Sequence, residues 1–146
     1  MINPFFKNTG PYKINFLLKH INLKTDNLPD DKITDIKDLN SSQKNEITFL
    51  HSKKYTDLAK KTKASYCLTS ENYKSFLPNN CKAIITDKVL FHTAQITKIF
   101  YPDSITDDYD NTVKDVNETE FKDKVKFGKN VLIGDNVKIG KNCLIG

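Results

Sequence analysis

The chain has no arginine. All 23 basic residues are lysines, set against 18 acidic residues, for a formal net charge of +5. The arginine fork is the usual reader of phosphates and guanine edges, so a dedicated nucleic-acid binder is not expected. The lysine patches Lys53–Lys54 and Lys60–Lys61–Lys63 read as solvated faces, with docking of an acidic protein as the second reading. Cysteine is also scarce. Cys67, Cys81 and Cys143 are odd in number, far apart and form no CxxC pair, which argues against a disulfide framework or a metal site.

Long apolar runs are missing too. Nothing approaches the roughly 18 residues that a membrane-spanning helix needs. Met1–Gly10 holds one lysine and no continuous apolar core, so no secretory leader is read there and a cytoplasmic location is expected. A hydrophobic content of 38% and a mean hydropathy of −0.54 suit a soluble chain with a modest core. The 146 residues allow one ordinary domain, or a small one plus part of another.

Residues 1–101 carry the pattern of a small α/β domain. Ile14, Leu17, Leu18 and Ile21 recur at helical spacing and predict a first helix over Ile14–Ile21. A strand or strand edge is expected over Ile33–Leu39, and strands over Glu46–Leu50, Ala64–Thr69 and Ala83–Thr86. A short helix is expected at Lys54–Lys61, and a turn of helix over Glu71–Phe76, capped by Ser70 and ended by Pro78. The longest helix is expected at Val89–Phe100, with Val89, Thr93, Ile96 and Phe100 on one face and Pro102 as its stop. Strands alternating with helices favour a small mixed or parallel sheet covered by helices. Residues 102–120 hold seven acidic residues and little apolar periodicity, and read as a connector.

From Phe127 a six-residue beat sets in: FGKNVL, IGDNVK, IGKNCL, IG. Phe121–Lys126 shows the same beat without its glycine, so the repeat region is taken as 121–146. Phe127, Val131, Ile133, Val137, Ile139, Cys143 and Ile145 are apolar, whereas Lys129, Asp135 and Lys141 interrupt them. An ordinary half-buried strand would keep every second residue apolar. A short strand followed by a corner breaks the run once per repeat, as here. Asn130, Asn136 and Asn142 share one phase, and asparagine accepts left-handed backbone angles at low cost. A β-hairpin or meander with Gly/Asn turns is the competing reading. Three copies in phase favour a chain coiling around an apolar axis, whose short repeats must stack on neighbours.

The beat resembles the hexapeptide repeat of the left-handed parallel β-helix, a fold of trimeric acyltransferases. The front domain narrows the likeness. EITFLHSKKYTDL at Glu46–Leu58, TKA at Thr62–Ala64, the early helix, the long helix before Tyr101–Pro102 and the hexapeptides come in a distinctive order. Together they resemble the amino-terminal domain and first β-helical coil of the UDP-3-O-(3-hydroxyacyl)glucosamine N-acyltransferase family of lipid A biosynthesis. The Mur ligase amino-terminal domain is similar in front, but no hexapeptides follow it there.

That resemblance implies a division into a uridine-binding domain at 1–101, an acidic connector at 102–120 and the start of the β-helix at 121–146. It implies that Phe49 and Tyr55 hold the uracil by stacking, which needs no charge. The family's Asn-Pro between these aromatics is Ser52-Lys53 here, so Ser52 is the candidate polar contact, with a shorter reach. The implied reaction moves a 3-hydroxyacyl chain from an acyl carrier protein thioester to the 2-amino group of UDP-3-O-acyl-glucosamine, in a homotrimer and without a cofactor. A β-helix histidine would serve as base. His20, His51 and His92 all precede the repeats, so no catalytic residue is assigned in this chain; His51 reads as a surface residue and the other two as structural or exposed. The expectation is therefore a shortened acyltransferase. A non-catalytic UDP-sugar-binding module, or a different hexapeptide-repeat sugar acyltransferase, are the alternatives.

The last coil is expected to expose strand edges and the apolar Ile139, Cys143 and Ile145. Such edges associate. The isolated chain is expected to aggregate or to need partner subunits, and light scattering after gel filtration checks this; a monodisperse, cooperatively melting monomer contradicts it.

Overall fold

The computed structural model describes residues 6–24, 29–105 and 110–146. The chain divides into two compact units, Met1–Thr106 and Asp107–Gly146. The first opens with a short strand β1 (Tyr12–Lys13) and helix α1 (Ile14–His20). The apolar spacing that predicts this helix also sets its buried face, since Ile14, Leu17, Leu18 and Ile21 are all buried. β2 (Lys32–Ile33) pairs antiparallel with β1, and β3 (Asp35–Ile36) starts a different sheet. The expected segment Ile33–Leu39 is thus divided, because the chain exchanges β1 as a partner for β4 (Glu46–Leu50) at Thr34.

β3, β4, β5 (Tyr66–Thr69) and β6 (Lys82–Ile85) form one four-stranded sheet in consecutive order. Its three pairings are all parallel, with Ile47 opposite Tyr66 and Tyr66 opposite Lys82. Between β4 and β5 the expected helix Lys54–Lys61 is a 3-10 turn, Lys53–Tyr55, followed by one turn of α2 (Thr56–Ala59). So short a segment gains little from helix propagation. Only Ala59 of α2 is buried. The Glu71–Phe76 turn is likewise 3-10, and Ser70 stands at its start without a side-chain capping bond. α3 (Val89–Phe100) closes the layer.

Both faces of the sheet are covered. Ile47, Tyr66, Leu68 and Ile84 pack against Ile14, Leu17, Leu18, Ile96 and Phe100 on one face. Leu50 and Cys67 pack with Leu39, Ala59, Ala64 and Cys81 on the other. Burial on both sides explains why the strands read as apolar runs rather than as alternation. Each fully buried Leu or Ile contributes about 1.5–3 kcal/mol relative to exposure. The buried stripe of α3 is Val89, His92, Ile96 and Phe100. Thr93, expected on that stripe, instead donates to the Val89 carbonyl at 2.8 Å. His92 takes the inner place because its Nδ1 meets the Thr86 hydroxyl at 2.7 Å. Burial, and then the Lys88 charge, push its pKa down and favour the neutral ring.

A polar chain crosses the amino ends of β3 and β4. The Tyr101 hydroxyl donates to Asp35 at 2.7 Å, and Lys37 reaches Asp35 at 3.6 Å and Glu46 at 2.6 Å. The bond to Glu46 is the main cause of a raised Lys37 pKa. Burial and then the Asp35 bond push the Tyr101 hydroxyl up to about 12 from 10.0. Burial and the Asp31 carboxylate raise Tyr66 as well.

The second unit is built of two-residue strands: β7 (Lys114–Asp115), β8 (Lys126–Phe127), β9 (Leu132–Ile133) and β10 (Leu144–Ile145). β7 runs antiparallel to β9. β8 runs parallel to β10, with Lys126 opposite Leu144 and Phe127 opposite Ile145, a spacing of 18 residues. Asn130, Asn136 and Asn142 take left-handed φ values of 60°, 61° and 62°, as their shared phase predicts. No described glycine has positive φ, so the left-handed positions are the asparagines. Gly128 answers a different need: a Cβ there would stand 3.0 Å from the Gly146 Cα. Val125 and Ile133 are buried, and Phe127, Val131, Ile139, Cys143 and Ile145 half-buried. Val137 departs from that set at 42% exposure, while Leu132 and Leu144 point outward at 62% and 80%.

Two outcomes are expected. Asn136→Ala should destabilise the second unit by about 1 kcal/mol, through the left-handed penalty on a Cβ-bearing residue without a local polar side chain, and Asn136→Gly should cost much less. Amide exchange across 126–145 measures both. In the first unit, Tyr101 holds its proton longer folded than unfolded. The unfolded chain ionises first, so stability is full below about pH 10 and falls between about pH 10 and 12. Urea midpoints across that range should drop, and Tyr101→Phe should flatten part of the drop.

Candidate functional site

Along β4 the side chains of Glu46, Ile47, Thr48 and Leu50 are buried, and Phe49 alone is half-buried. In a parallel sheet, ligands gather beyond the carboxyl ends of the strands, where side chains are first released from packing. β4 ends at Leu50, and the next residues turn back sharply. The Ser52 carbonyl accepts from the Tyr55 amide at 3.1 Å. The Ser52 hydroxyl caps the same turn, accepting from the Lys54 amide at 3.4 Å. The Thr56 hydroxyl donates to the Lys53 carbonyl at 2.9 Å. These bonds hold Tyr55 at the head of α2.

Phe49 packs partly against the core beneath α1 and α3. Tyr55 packs partly against the opposite core, beneath α2. The two aromatics therefore come to the carboxyl end of β4 from opposite faces of the sheet, each with one side anchored. His51 links them. Its ring centroid lies 6.2 Å from Phe49, at 27° between planes, and 5.6 Å from Tyr55, at 44°. The Lys54 ammonium stands 5.8 Å from the Tyr55 centroid.

Phe49, Ser52 and Tyr55 thus share one short segment. Ser52 is partly committed to its cap, which leaves its hydroxyl hydrogen for a further acceptor. His51 is the member that sequence reasoning assigned to plain surface. It is exposed, yet its ring is part of an aromatic row. The signal lay in the strand period: His51 follows Phe49 by two residues and falls on the same side.

The other titratable candidates do not converge here. His92 is spent on Thr86. His20 is exposed, its Nδ1 2.9 Å from the Phe16 carbonyl. Cys67 and Cys81 are buried free thiols, and the Cys81 thiol, then burial, raises the Cys67 pKa and keeps it protonated. Among the described residues, no helix is long and apolar enough to cross a membrane.

Residues 30–99, from β2 to the last turn of α3, match the family described as UDP-3-O-(3-hydroxymyristoyl) glucosamine N-acyltransferase, LpxD. The chain is 32% identical over 100 residues to the UDP-3-O-acylglucosamine N-acyltransferase of Rickettsia prowazekii (strain Madrid E), covering 66% of this chain and 29% of that protein. It is 29% identical over 100 residues to the protein of the same name in Rickettsia canadensis (strain McKiel), with the same 66% and 29% coverage. The corresponding Rickettsia rickettsii (strain Sheila Smith) protein is 28% identical over 99 residues, again covering 66% and 29%. The chain thus spans under a third of the length of these relatives. The segment that forms the parallel sheet and carries Phe49 and Tyr55 is the segment that matches, and over it the chain is similar to the UDP-3-O-acylglucosamine N-acyltransferase family.

Proposed function

We propose that this chain supplies the nucleotide-sugar-holding part of an N-acyltransferase of lipid A biosynthesis. The substrate would be UDP-3-O-acyl-glucosamine, with its uracil against Phe49 and Tyr55. The 3-hydroxyacyl chain would come from an acyl carrier protein thioester, so the reaction needs no further cofactor. The observation that carries this reading is the aromatic row at the carboxyl end of β4, inside the segment matched by the family. Planar rings stabilise a neutral base by stacking, at about 1–3 kcal/mol per base. Ser52 is the polar group within reach of the same place, and its free hydroxyl hydrogen suits a uracil carbonyl.

The attacking amine must lose a proton, and a histidine base suits that step. The three histidines of this chain are His20, His51 and His92, and none lies in 110–146. No catalytic role is therefore assigned to a residue here, and a purely binding role for the unit is the second reading. The six-residue beat, the left-handed asparagines and the parallel pairing at 18 residues support the first coil of a left-handed parallel β-helix, with three repeats per turn. The outward Leu132 and Leu144 support burial against other subunits, as in a homotrimer. The domain division read from the sequence, 1–101, 102–120 and 121–146, goes with this proposal, as does a cytoplasmic location.

Titration with UDP-N-acetylglucosamine, followed by tyrosine fluorescence, tests the site. Binding is expected to perturb Tyr55 emission. Tyr55→Ala should weaken binding by about fivefold to a hundredfold, the range that loss of one stacking surface implies. No binding at millimolar ligand removes both aromatic assignments.

A further inference from the structure

In the nucleotide-sugar reading the base touches both Phe49 and Tyr55. The imidazole of His51 already touches both. A planar ligand that contacts the same two rings competes with it for that space. We infer that His51 is the gate of the aromatic shelf: its ring fills the base's place in the free protein and swings out when a uridine nucleotide enters.

Three observations carry this. The near-parallel setting of His51 on Phe49, 27° between planes, is the arrangement a stacked base would adopt. His51 is exposed, so its ring has open solvent beside it. Among the described residues its ring nitrogens make no hydrogen bond, in contrast to His92 on Thr86 and His20 on Phe16. Ring contacts with Phe49 and Tyr55 stand at the closed position. Phe49 and Tyr55 are, by contrast, packed against opposite cores.

A gate of this kind lowers apparent affinity by the fraction of time it stands open. His51→Ala removes the competitor without touching a buried group. It should therefore bind uridine and UDP more tightly than the natural chain, by about three- to tenfold, the closed-to-open ratio that one or two ring contacts imply. In the free protein the His51 ring protons should lie upfield, within the ring currents of Phe49 and Tyr55. Saturation with uridine should shift them toward free-imidazole positions.

The test is calorimetric titration of uridine and UDP into the natural chain, His51→Ala and Phe49→Leu, with urea midpoints confirming that each variant folds. Tighter binding by His51→Ala, with His51 resonances released by ligand, supports the gate. Equal binding by that variant overturns it, and weaker binding overturns it and makes His51 a third stacking surface. His51 resonances unmoved at saturation also overturn it. This inference rests on the base-stacking reading. Full affinity in Phe49→Leu, or no uridine binding by any of the three chains, overturns that reading and the gate with it, whereas loss in Phe49→Leu without gain in His51→Ala overturns the gate alone.

Discussion

Burial of β4 on both faces is the constraint on which the first unit depends. A strand packed on two sides is mostly apolar or internally satisfied, the buried Thr48 hydroxyl being the unpartnered exception in β4, and side chains are released where the sheet ends. Ile47 looks into one core and Leu50 into the other. Glu46 is tolerated near the start because Lys37 and the Gln43 amide meet its carboxylate. At the far end Phe49 is released, the backbone turns under the Ser52 cap, and Tyr55 is delivered by the opposite face. The candidate site follows from how the strand is buried.

This also explains what was legible in the sequence. The apolar runs Glu46–Leu50 and Val89–Phe100 match the observed elements residue for residue, because burial selects side chains strongly there. The phase of Asn130, Asn136 and Asn142 was equally plain, since each left-handed backbone position calls for the same residue type. Short connections were less legible. The Lys54–Lys61 segment has enough helix formers to suggest a helix, yet local bonds from Ser52 and Thr56 divide it into a 3-10 turn and a single α turn. The division of Ile33–Leu39 was hidden because two strands with different partners leave the same alternation in the sequence.

The candidate site was half legible. Phe49 and Tyr55 are indicated by the family likeness alone. His51 did not, because an exposed histidine looks the same in a sequence whether it faces only solvent or leans on two rings. His92 shows the converse. Its place on α3 suggested little, but the fold buries it and gives it a hydroxyl partner, and no sequence pattern marked Thr86 as that partner.

The 18-residue register between β8 and β10 has a consequence for how the chain folds. In the first unit, too, the parallel partners are near in sequence: Ile47 meets Tyr66, and Tyr66 meets Lys82. Loop-closure entropy grows with the logarithm of loop length, so loops this alike carry nearly equal costs. The pairing of β3 with β4 is closer still, Ile36 opposite Ile47, so two architectures that share no sequence pattern are both closed by short loops. Neither requires a long-distance encounter before its first strands pair, which is the step that slows most parallel sheets.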